Sequence, residues 1–247
     1  MALAGATPPA ATAATPQAAR APSPPEPQSR ALSPEQRAQF KQSVERGVSY
    51  LNSGEYERAA GELSVAVAIQ PENIVVLRYL GSAYARDNKL ERARRVLQAA
   101  IDLAPSDPAA RYEMAQVALA AGDLDGAERE SKKTVELDPG NLRAQELVGI
   151  VQYRQGALEL AAATLEPLVV DGGSRPDSAY TLGLCYQGLE RNEEARDIFR
   201  TVVKVKPDYA QAWFNLGKVL SSLGDEQGAV SATKKFEDLG GKIPGEN

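Results

Sequence analysis

Residues 176–207 read PDSAYTLGLCYQGLERNEEARDIFRTVVKVKP, two runs with apolar residues at helical spacing. Ala179, Leu182, Gly183 and Tyr186 recur at i, i+3, i+4 and i+7, an apolar stripe along one face of a helix. A second run carries Ala195 and Phe199 and ends at Pro207, which cannot continue a helix. The stretch therefore predicts two short amphipathic helices joined by a turn. Such a hairpin cannot bury its apolar faces alone.

Stepping outward by 34 residues in either direction recovers the same pattern. With first positions at Phe40, Ile74, Pro108, Leu142, Pro176 and Ala210, position 20 reads Ala59, Ala93, Ala127, Ala161, Ala195 and Ala229. Position 8 reads Gly47, Gly81, Ala115, Gly149, Gly183 and Gly217. Small residues at these two places let the helices of a pair approach closely. Position 15 holds Gly54, Gly122, Gly156 and Gly224, with Asn88 and Glu190 in the other two copies; a left-handed residue there ends the first helix. Position 32 is Pro71, Pro105, Pro139 and Pro207, with Gly173 and Gly241 elsewhere.

Six units in register, without insertion, resemble the tetratricopeptide repeat family, whose 34-residue helix–turn–helix carries Trp, Leu-Gly, Tyr, Ala, Phe and Pro in order. Trp213, Leu216 and Gly217 occupy those places in the sixth unit; Leu80, Gly81, Tyr84, Ala93 and Pro105 do so in the second. The resemblance implies an all-α, right-handed solenoid over residues 34–243, of twelve antiparallel helices with no sheet. The third and sixth units depart most, with Ser131 and Thr233 where a large apolar residue is usual. Pro167 falls inside the second helix of the fourth unit, and with Gly172 and Gly173 following it predicts a kinked or shortened helix.

Residues 1–33 are a different material. Eight of the 16 prolines lie at or before Pro34, and no aromatic residue precedes Phe40. Such a segment cannot bury enough apolar surface to order itself, so a disordered tail is expected, with a short C-terminal tail at 244–247. Order should begin at Ser33, whose hydroxyl can cap a helix while Gln36 reaches back. Ala4-Gly5-Ala6 has the small residues of a secretory cleavage site without the basic and apolar parts that precede one. A cytoplasmic chain and a mature exported chain are both compatible with that.

The composition excludes much chemistry. There is no His and a single Cys, so His-based acid–base catalysis, paired-cysteine metal sites and an internal disulfide are all absent. Cys185 sits at position 10, where other units carry Ser49, Ala83, Val117, Val151 and Val219, and reads as a packing site. Asp123-Leu124-Asp125-Gly126 has the opening of a calcium loop without the remainder, and reads as a helix start. No phosphate loop or catalytic constellation is found; no enzyme activity, metal or cofactor is expected. No apolar run spans a bilayer.

By resemblance, the first helix of each unit lines a concave groove with positions 2, 5, 6, 9, 12 and 13. These include Arg78, Tyr79, Arg86, Tyr112, Arg143, Tyr153, Arg154, Tyr180, Phe214, Asn215 and Lys218. With Lys41 the groove positions hold six cations, against Glu45, Glu113, Glu146 and Asp177, on a chain of net charge −5. Aromatic and Arg side chains are favoured anchors of binding. The expected ligand is an acidic peptide with apolar anchors, and the expected role a non-catalytic scaffold. The chaperone-tail clamp of the family needs Lys, Asn, Asn, Lys and Arg; this chain offers Val44, Val48, Tyr79, Ala109 and Glu113 there, which argues against it. Self-assembly through array ends is the alternative, or, for an exported chain, an envelope-assembly adaptor of the pilotin kind. The acidic balance disfavours nucleic acid.

Overall fold

The computed structural model describes residues 32–169 and 175–242. The tail expected over 1–33 falls outside them except for Leu32 and Ser33, as do Gly172, Gly173 and residues 243–247. Among the described residues there are twelve helices and no strand.

Local chemistry places the helix starts. The Ser33 hydroxyl accepts from the Gln36 N–H at 3.1 Å while the Gln36 side chain accepts the Ser33 N–H at 2.9 Å, a reciprocal box that opens α1 (Pro34–Ser53). Then come α2 (Tyr56–Ile69), α3 (Ile74–Arg86), α4 (Leu90–Leu103), α5 (Pro108–Ala120) and α6 (Leu124–Leu137). The chain continues through α7 (Leu142–Arg154), α8 (Leu158–Val169), α9 (Pro176–Gly188), α10 (Asn192–Val205), α11 (Ala210–Ser222) and α12 (Glu226–Asp238). Asn73, Asp107 and Asn141 cap α3, α5 and α7 with a side-chain oxygen. Asp123 caps α6 by accepting from the Gly126 N–H at 2.9 Å, so the calcium-like stretch is a helix start. Helix α8 runs through Pro167 to Val169.

Each helix packs on its chain neighbours, so the units form an all-α solenoid. The backbones of the odd-numbered helices also approach one another from unit to unit, whereas among the described residues no two even-numbered helices come as close. That asymmetry curves the stack and puts the odd-numbered helices on its inner face. Ala59, Ala93, Ala127, Ala161, Ala195 and Ala229 are all buried between paired helices. Cys185 is buried as well, and burial pushes its thiol up to about 11, so it stays protonated and inert near neutral pH.

The core is uneven along the stack. One apolar cluster runs from Ala161 to Ala232, and two others fill the first three units. Between them the cluster around Ala115, Ala127 and Val151 is small. There α6 buries Glu130, Ser131 and Thr134. Their polar atoms are satisfied locally: Thr134 Oγ1 donates to the Glu130 carbonyl at 2.8 Å and Arg111 Nη1 to Glu130 Oε2 at 2.8 Å.

Among the described residues, the first and last helices are polar on the sides that inner units bury. In units two to six, positions 3, 7 and 10 are buried against the preceding helix, as in Val76, Leu80 and Ala83. In α1 those positions are Gln42, Arg46 and Ser49, all exposed. At the other end Glu237 is exposed where earlier units place Ile101 and Val203 in the core, and Ser231, Lys234, Lys235 and Asp238 are exposed beside it. Val230, 68% exposed, is the one large apolar side chain on that face among the described residues.

Candidate functional site

Positions 5 and 6 of successive odd-numbered helices face each other across the inner surface. Arg78 of α3 donates through Nε and Nη2 to Glu113 Oε1 of α5, at 3.2 and 2.8 Å, with Asp107 3.8 Å from Nη1. Burial works against the Arg78 charge, but the Glu113 hydrogen bond and the two carboxylates leave it raised. Tyr180 of α9 accepts from Asn215 Nδ2 of α11 at 2.9 Å, and its ring lies 5.9 Å from Phe199 and 4.9 Å from Tyr209. Burial pushes the Tyr180 hydroxyl up. Asn215 itself is buried and also holds the Gln211 carbonyl. Glu146 of α7 accepts from Arg175 at 2.7 Å and from Ser178 Oγ at 2.8 Å.

The remaining candidates divide by exposure. Tyr112 is half-buried on the small central cluster, its hydroxyl accepting from Gln116 at 3.3 Å. Tyr153 packs on the C-terminal core, and Phe214 lies 5.0 Å from Phe236 with Lys218 Nζ 5.7 Å from its ring centre. Arg86 stacks over Tyr56 at 5.8 Å. Tyr79, at 38% exposure, and Arg86, Arg143, Arg154 and Lys218 present the most surface. None of these four cations has a carboxylate within 4.0 Å among the described residues.

Sequence reasoning missed the partners. Tyr209, outside the groove positions, supports Tyr180; burial beside Asp177 pushes its hydroxyl up to about 12. Ile150 and Leu184, at position 9, are half-buried on the inner face. The inner face thus has two unlike halves. The first carries the Arg78–Glu113 pair with Tyr79, Arg86 and Tyr112 around small side chains such as Ser82 and Ala85; the second carries Ile150, Tyr153, Tyr180, Leu184 and Phe214 between Arg143, Arg154 and Lys218.

Among the described residues no group of three potential metal ligands occurs, and no helix is long and apolar enough to cross a membrane. Family models of the tetratricopeptide repeat match residues 50–117, 84–149 and 180–238. The chain belongs to the tetratricopeptide repeat family. Its fold is that of a protein–protein interaction scaffold, and the partners the fold points to are proteins. The human protein O-mannosyl-transferase TMTC1 is 28% identical over 182 residues, which is 70% of this chain and 21% of that protein. The chain thus spans about a fifth of that curated relative. Pseudomonas aeruginosa PilF shares the fold with a TM-score of 0.73 at 15% identity, over 86% of this chain and 95% of that one. YrrB, described as a tetratricopeptide repeat protein with an unusual peptide-binding site, has a TM-score of 0.60 at 20% identity, over 72% and 91%.

Proposed function

We propose that this array is a non-catalytic adaptor that holds an acidic peptide segment of a partner protein along its inner face. The observation that carries the reading is the set Arg143, Arg154 and Lys218, which lack carboxylate partners among the described residues and flank apolar side chains, on a chain of net charge −5. Opposite charge speeds encounter, and buried aromatic or aliphatic anchors supply the retained contact. The peptide-binding description of YrrB supports the same reading by fold. Head-to-tail self-assembly is the less supported alternative, because among the described residues the end helices lack the apolar stripe that neighbouring units use to stack.

Fluorescence anisotropy tests it with labelled peptides of matched length, one acidic with Leu and Phe anchors and one basic. The acidic peptide should bind, more weakly as salt rises, and the triple charge reversal Arg143→Glu, Arg154→Glu, Lys218→Glu should abolish that binding without lowering the melting temperature. Equal binding of the basic peptide, or indifference to the triple reversal, overturns the reading.

A further inference from the structure

Between α3 and α5 the inner face opens into a cavity of about 240 Å³, floored by Leu97 of α4 and walled by Val117. It is smaller than a typical small-molecule pocket of roughly 300–1,000 Å³, and of a size for one large side chain. Its origin lies in the sequence. Position 9 is Ser82 here but Val48, Ile150 and Leu184 in other units, and position 12 is Ala85 where others place Leu51, Leu119 and Tyr153. Small side chains at these two places leave the space between adjacent helices unfilled.

The rim carries an unmet hydrogen-bonding need. Glu113 lines the cavity, and its Oε1 takes both Arg78 nitrogens. Its Oε2 is buried and has no hydrogen-bond partner among the described residues. A buried acceptor left unpaired is costly, and a donor brought by a ligand would remove that cost. Arg78 and Arg86 balance Glu113 and Asp107 in charge, so the rim suits a neutral N–H donor, and Oε2 would repel a carboxylate.

We propose that this cavity is the anchor subsite of the groove: it takes one apolar side chain of a partner peptide, and the backbone N–H of that peptide residue donates to Glu113 Oε2. The proposal rests on the peptide-binding reading above and adds where the anchor sits and what reads it. The acidic part of the same peptide then lies toward the cations of the second half.

The test uses the full chain and a phage-displayed random-peptide library, followed by affinity measurement on the selected peptides. Ser82→Ile fills the cavity with a side chain that position 9 already accommodates at Ile150. The selected peptides should share one apolar residue whose change to Ala weakens binding about tenfold or more. Ser82→Ile should cause a similar loss, and the two changes together should cost little beyond either. N-methylation of that residue's amide should weaken binding of the wild type and leave Glu113→Gln almost unaffected. Gln116→Leu, which fills the cavity from the α5 side, serves if Ser82→Ile unfolds. Selected peptides that bind the cavity-filled variants as well as wild type overturn the subsite and leave the groove reading standing. Failure to select any peptide overturns both.

Discussion

Gly183 lies so close to Phe199 that a β-carbon on it would stand 2.6 Å from the ring's Cε1. Gly47, Gly81 and Gly149 meet Leu63, Leu97 and Leu165 in the same way, at 2.6, 2.6 and 2.5 Å. Where position 24 shrinks, the constraint relaxes: a β-carbon on Gly217 would lie 3.0 Å from Thr233 Oγ1, and the unit with Ser131 carries Ala115. The residue at position 8 is therefore set by the volume of its partner sixteen residues on.

Gly183→Ala should lower stability by about 1–3 kcal/mol, the usual cost of overpacking. Gly217→Ala should change it by less than about 0.5 kcal/mol, because the gain in helix propensity offsets the smaller strain. Thermal unfolding followed by circular dichroism ranks the two. Ser131→Leu should be destabilising alone and partly recovered by Ala115→Gly, with a coupling of about 0.5–3 kcal/mol.

The 34-residue period made the helical pairs legible, because both the apolar stripe and the small residues that let helices approach are local consequences of helix geometry. Partnering across units was not legible in that way. Arg78, Tyr180 and Asn215 were placed on the inner face by their positions, but position alone says nothing of whether a neighbouring unit engages them. The signal that could have shown it is complementarity at a spacing of 35, as in Arg78 with Glu113 and Tyr180 with Asn215. Variation along position 5 thus reflects pairing within the array as well as any ligand. The cavity has no signature in the sequence pattern because it is made by what Ser82 and Ala85 lack.

Glu190 adopts φ +59° at the turn where four other units use glycine. A side chain with a β-carbon pays about 1–2 kcal/mol in that region. Glu190→Gly should raise stability by about 0.5–1 kcal/mol after the entropic cost of glycine. A lower melting temperature for the variant would show that the Glu190 side chain makes a compensating contact.

Burial raises the Glu113 carboxyl above its ordinary value, against the hydrogen bond and charge of Arg78, which lower it. A carboxyl raised by folding contributes stability that is fully present below its unfolded value and lost as pH rises through the folded one. Wild type should therefore gain stability relative to Glu113→Gln as pH falls from neutral to about 4. Denaturant midpoints measured in parallel across that range check the sign.

Gln42→Val with Arg46→Leu gives α1 the apolar stripe that later units bury. The double variant should self-associate with rising concentration in light scattering after size exclusion, while wild type holds a constant mass. A constant mass in both would show that α1 needs more than those two side chains to stack.

The polar interior of α6 divides the apolar core of the stack into two columns. In a linear array, energy passes only between neighbours, so a unit rich in satisfied polar groups and poor in apolar contact opens at lower cost than those beside it. Amide protons of α6 should then exchange with solvent sooner than those of α4 or α10, and the halves on either side should behave as separate cooperative foldons. A ligand that spans both halves would bridge that joint and slow its exchange, without touching Glu130, Ser131 or Thr134.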